Sequence, residues 1–131
     1  MARLAAQRCT KFESAAFAGI AERIKQIAQQ DNAAAYMRID REFNTLLGTA
    51  SRNEYAERSL LLTQGLSRRF WYMHYRLEAV EIVRCAEFLA ELSSLIAARK
   101  TEEAAAASDR LIGHMEEFAR ASLGISPNRA R

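Results

Sequence analysis

The only proline of this chain is Pro127, close to its C-terminal end, so nothing before it forbids helix. Through that long proline-free stretch, apolar side chains recur at alternating steps of three and four, the repeat of a single helix face. The clearest run is Ile82, Cys85, Leu89, Leu92 and Ile96. Five glycines and a hydrophobic content of 50%, much of it alanine, leave few turn-makers among many good helix formers. No segment alternates apolar with polar residues, and the β-branched residues are scattered, so a sheet has nothing to be built from. The implied fold is all-α: five or six amphipathic helices joined by short loops into an antiparallel bundle. A chain of 131 residues is expected to form one domain around one core, residues 1–124, with 125–131 as a flexible tail beyond Gly124.

Local signals place the helices. Thr10-Lys11-Phe12-Glu13 has the form of a capping box and predicts a helix start, with Phe17, Ile20, Ala21, Ile24, Ile27 and Ala28 on its inner face. Ala2 to Cys9 reads as the end of a preceding helix. Asp31-Asn32 stops one helix and starts the next, whose inner face carries Met37, Ile39, Phe43, Leu46 and Leu47 and whose expected stop is Gly48. Ser51-Arg52-Asn53-Glu54 repeats the capping-box signal and opens a helix running to about Tyr75, bent at most by Gly65. The stripe from Ile82 to Ile96 belongs to a helix over about 77–98. Thr101 is expected to cap a last helix that points Leu111, His114, Met115 and Phe118 inward.

Charge gives little direction. Lys and Arg exceed Asp and Glu by three, and Arg68, Arg69, Arg76 and Arg84 are spread along helical positions, as on a solvated face. Cys9 and Cys85 are far apart and form neither a disulfide framework nor a zinc motif, which suits a reducing compartment. No stretch is apolar for long enough to span a membrane, so the expected location is the cytoplasm.

The chain lacks nucleophile elbows, phosphate-binding glycine loops and metalloprotease motifs, which leaves an enzyme reading little support. His74 and His114 are the side chains suited to proton transfer or metal binding near neutral pH. His114 shares the inward stripe of the last helix, a place where a histidine is commonly a hydrogen-bonded core residue. Asp40 and Asn44 stand one turn apart on the third helix and face the same interior. A buried Asp demands a cation or several donors, and an imidazolium, a divalent metal or backbone amides would each serve. In Phe70-Trp71-Tyr72-Met73-His74-Tyr75, the i, i+4 pairs Phe70 with His74 and Trp71 with Tyr75 point in different directions, so the run reads as packing and not as one aromatic box.

The string from Asp40 to Leu47, followed by Ala50-Ser51-Arg52-Asn53, resembles the D-x-x-F-H-x-x-L…GN segment of the FCD domain, the C-terminal effector domain of FadR-subfamily GntR transcription regulators. Leu4 to Thr10 is similar to that family's L-A-A-x-R-A-T turn, and Ala107 to Met115 to its A-x-x-x-M-x-x-H-L close. The resemblance spans about residues 2–123. It implies a helical bundle with a central cavity, in which one Asp and three His hold a metal that helps bind a small carboxylate effector. Carried over, Asp40 is the Asp ligand and His114 the last His. Asn44 stands where the family has a His, and the helix holding Leu89 and Leu92 has none, with Glu87 or Glu91 as substitutes only if one faces inward. Asp40, Asn44 and His114 are therefore the expected ligand-binding residues. Asp40 and His114 are a degenerate metal pair that holds no metal, or holds zinc or nickel weakly.

The resemblance implies an effector-sensing and dimerisation domain, not an enzyme, that binds a small organic acid and forms a homodimer. It would contact DNA only through a winged-helix module that this chain does not contain. The alternatives are a helical oligomerisation module without a ligand and a metal-dependent enzyme, the latter needing at least three firm ligands.

Overall fold

The structure is a computed structural model that describes residues 1–30, 32–74 and 79–124, the side chains of His74 and Ala79 excepted. The described residues form six α-helices: α1 (Ala2–Arg8), α2 (Lys11–Ala28), α3 (Ala33–Ser51), α4 (Glu54–His74), α5 (Ala79–Ala97) and α6 (Thr101–Ser122). The all-α bundle expected from the apolar periodicity is the fold. The predicted tail, the cap residue Asp31 and the start of the fifth helix before Ala79 lie outside the described residues.

The caps explain most boundaries. The Thr10 hydroxyl accepts from the Glu13 amide at 3.1 Å, and the Glu13 carboxylate accepts from the Thr10 amide at 2.8 Å, so the predicted capping box forms. Asn32 caps α3 by accepting from the Ala35 amide at 3.0 Å. Gly48 does not end α3, because that helix runs on to Ser51 and stops at Arg52, a left-handed residue with φ 52°. The start of α4 also differs from expectation: Asn53 caps it, accepting from the Ala56 amide at 3.1 Å, while Ser51 is still helical and donates back to the Gly48 carbonyl. Lys100, not Thr101, occupies the N-cap of α6 and makes no side-chain cap bond. Gly48 instead permits close packing, since a Cβ there would stand 3.0 Å from Cγ of Glu57 on α4.

α5 forms the centre, packed against α2 on one side and α6 on the other, with α1 and α3 also touching it. Its stripe from Ile82 through Cys85, Leu89 and Leu92 to Ile96 is buried throughout, as the spacing predicts. Phe17, Ile20, Ala21 and Ile24 of α2 are buried too, and Phe17 meets Phe43 of α3 edge-on at 5.8 Å. α3 packs against α1, α2 and α4. α4 is the outer helix: one side lies on α3, and its C-terminal end is tied to α6 by Trp71, stacked on Phe118 at 5.1 Å.

A polar strap closes one end of the bundle. Arg52 donates from both terminal nitrogens to the Glu13 carboxylate, at 2.9 and 3.0 Å, joining the end of α3 to the start of α2. Burial pushes the Glu13 carboxyl upward, but the bonds from Arg52 and Thr10 outweigh it and hold the group below its ordinary value. Arg8 adds a bond to the Ser51 carbonyl at 2.9 Å, and Arg99 donates to the Cys9 carbonyl.

Candidate functional site

Asp40 and Asn44 lie on the edge of α3 that turns towards α4 and α5, at the successive-turn spacing that puts both on one face. They line a cavity of about 350 Å³, within the range of small-molecule sites. Its apolar wall includes Leu89 and Leu92 from α5 and Leu111 and Met115 from α6. α4 closes the outer side with Leu60, Thr63, Gln64, Ser67 and Arg68. The site is thus a pocket between helices, apolar in the main, with polar groups at a few places.

The electrostatics centre on Asp40. Its carboxyl is driven by burial from an ordinary value near 3.8 to about 6, despite the stabilising hydrogen bond from Asn44. Asn44 donates through Nδ2 both to Asp40 Oδ2, at 3.2 Å, and to the Asp40 carbonyl, at 2.9 Å, which fixes the two side chains against one another. Tyr36, one turn earlier and buried, has its phenol pushed well above 10 by burial and by the charges of Asp40 and Cys85. The Cys85 thiol is raised to about 12 by burial, then by Glu81 and Asp40, so it is a protonated core thiol and not a nucleophile. Gln64 Nε2 is buried on the α4 wall and has no hydrogen-bond partner.

His114 is not part of this wall. Its ring lies 5.3 Å from that of Phe88, and its Nε2 is 2.7 Å from Glu81 Oε2, both groups being mostly buried. The two atoms are close but poorly aligned for an N–H···O bond, leaving an electrostatic contact between α5 and α6. The structure therefore brings together two of the three predicted site residues, Asp40 and Asn44, and sets His114 beside Glu81. The reason is rotational. Leu111 and Met115 take the α6 face that looks into the cavity, and His114 is turned towards α5.

The donor set does not fit the metal that the resemblance implies. The cavity offers one carboxylate, with the amides of Asn44 and Gln64 and a few hydroxyls as its other oxygen donors, all poor metal ligands, and α5 presents Leu89 and Leu92 where a further ligand would have to stand. Glu87 and Glu91 are not substitutes: both are exposed, and Glu91 accepts from Arg110 at 2.7 Å. Among the described residues no three His, Cys, Asp or Glu side chains are grouped to hold an ion.

The α4 contribution was missed in sequence, although a signal existed. Leu60, Gln64 and Ser67 recur at helical steps on the side that lines the cavity, and the polar Gln64 and Ser67 following Leu60 on that side mark a wetted inner face. Arg68, read as one solvated charge among several, reaches the cavity edge and also lines a second cavity with Trp71 and Ile82. Nothing in sequence pairs Glu81 with His114, because the contact joins residues on different helices.

Comparison with curated proteins and with solved structures returned no match. Comparison with models of known families matches the FCD domain over residues 1–117. That match covers most of the molecule, including Asp40 and Asn44, the α4 wall and the whole of α5. The FCD domain is an all-α regulator domain that binds effectors, and a pocket enclosed by α3, α4, α5 and α6 suits that description. The chain belongs to the FCD domain family.

Proposed function

We propose that this domain senses a small organic acid in the cavity beneath α4 and passes its occupancy to a dimer of the same chain, without catalysing a reaction. The observation that carries the reading is the cavity itself, with Asp40 and Asn44 as a fixed polar floor inside an FCD-family bundle. Arg41 and Arg68 line its edge and supply the positive charge that a carboxylate requires. Asp40 and the unpartnered Gln64 amide suit a ligand with a hydroxyl or carbonyl besides its acid group. The apolar side, Leu89, Leu92 and Leu111, suits a short carbon skeleton. No metal is assigned a part, since the donors that surround the cavity are too few. Dimerisation is supported by the outer face of α4, where Tyr55, Leu62, Leu66 and Met73 are exposed.

The test is binding of two- to six-carbon hydroxy and keto acids, measured by thermal shift and then by titration calorimetry. At least one acid is expected to bind, with affinity falling tenfold or more in Arg68→Ala and in Asp40→Ala and unchanged in His114→Ala. Binding that is indifferent to Arg68 and Asp40, or no binding by any acid, would remove the reading.

A further inference from the structure

The outer face of α4 has a pattern that makes it complementary to itself. At 100° per residue, Tyr55, Ser59, Leu62, Leu66, Arg69 and Met73 fall within about 40° of one line along the helix, on the side opposite Gln64 and the cavity. These positions step by four and three, as in the a/d seam of a coiled coil. The four apolar ones are between 68% and 85% exposed, although each is a large side chain. Read from either end, the order is the same: apolar, polar, apolar, apolar, polar, apolar. A two-fold interface needs a patch that matches itself when reversed, and this stripe does.

We propose that two copies of the chain pair through α4 in antiparallel register, with the two-fold axis beside residue 64; the proposal rests on the dimerisation read above and names its surface. In this register Leu62 packs on the partner's Leu66, Tyr55 on the partner's Met73, and Ser59 faces the partner's Arg69. A parallel pairing instead sets Arg69 against Arg69 in the seam, two like charges with nothing between them. The antiparallel arrangement also opposes the two helix dipoles. Gly65 flanks the axis, and a Cβ there would meet nothing within 4 Å in the single chain. The seam helix carries the cavity residues Thr63, Gln64 and Ser67 on its other sides, so a ligand that shifts α4 shifts the dimer.

Cysteine pairing tests the register, because the native Cys9 and Cys85 are buried. The double variant Ser59→Cys/Arg69→Cys is expected to form a disulfide-linked dimer under mild oxidation. Each single variant is expected to stay unlinked, because identical positions then stand roughly 15 Å apart along the helix. Leu62→Glu/Leu66→Glu is expected to be monomeric by light scattering, with unchanged helical circular dichroism. Linkage of Ser59→Cys alone would show parallel pairing and overturn the proposal. A wild-type dimer that survives Leu62→Glu/Leu66→Glu, with no linkage in the double cysteine variant, would overturn it while leaving dimerisation intact. A wild-type chain that is monomeric at 100-fold the concentration of the assay would remove both.

Discussion

At the scale of single residues, the carboxylates of Asp40 and Glu13 respond to pH in opposite senses. The folded state holds the Asp40 proton more tightly than the unfolded chain, with a value of about 6 against 3.8. That stabilisation is complete below about pH 4 and is lost as pH rises through about 6, a change on the order of 3 kcal/mol. Asp40→Asn removes the ionisation and keeps an oxygen to accept from Asn44. Urea unfolding at pH 4 and pH 7 is expected to show the variant gaining on wild type between the two. A gap that does not change with pH would mean that Asp40 is better solvated than its surroundings imply. Glu13 runs the other way. Its carboxyl is depressed, so its contribution is present above its ordinary value and lost on acidification. Glu13→Ala breaks both the capping box and the two bonds from Arg52, and is expected to cost about 2 kcal/mol at pH 7. Glu13→Gln, which keeps one acceptor, is expected to cost less.

At the scale of elements, the helices were legible because each has a long apolar face with few interruptions. The buried stripe of α5 matches the spacing residue for residue, and the Thr10 box marks the start of α2 by a bond any reader of sequence can anticipate. The errors lie where one cap signal competes with another. Gly48 read as a stop, yet what it does is let Glu57 come close, and the left-handed position falls instead to Arg52, whose side chain Glu13 holds. The site was half legible. Asp40 and Asn44 are neighbours on one helix, so their spacing alone places them together, whereas the position of His114 depends on how far α6 is rotated, which only packing decides. α4 is the element whose attachment is most easily tested. Trp71 and Phe70 hold its end on Phe118. Trp71→Ala is expected to cost about 3 kcal/mol and to raise amide exchange most in the second half of α4; uniform loosening of all helices would contradict this.

At the scale of the whole molecule, one helix has two surfaces with different tasks. The inner side of α4 closes the cavity over Asp40 and Asn44, and its outer side presents a stripe that two copies bury together under the proposal above. Sensing and assembly are coupled if α4 moves as a rigid body, with no relay of side chains required. The central claim is that the cavity holds the ligand, and a variant that fills it tests this most directly. Ser108 lines the cavity from α6. In Ser108→Phe the account predicts a folded protein whose melting temperature no longer rises with the acid that stabilises wild type. An undiminished rise in that variant would place the ligand elsewhere and contradict the account.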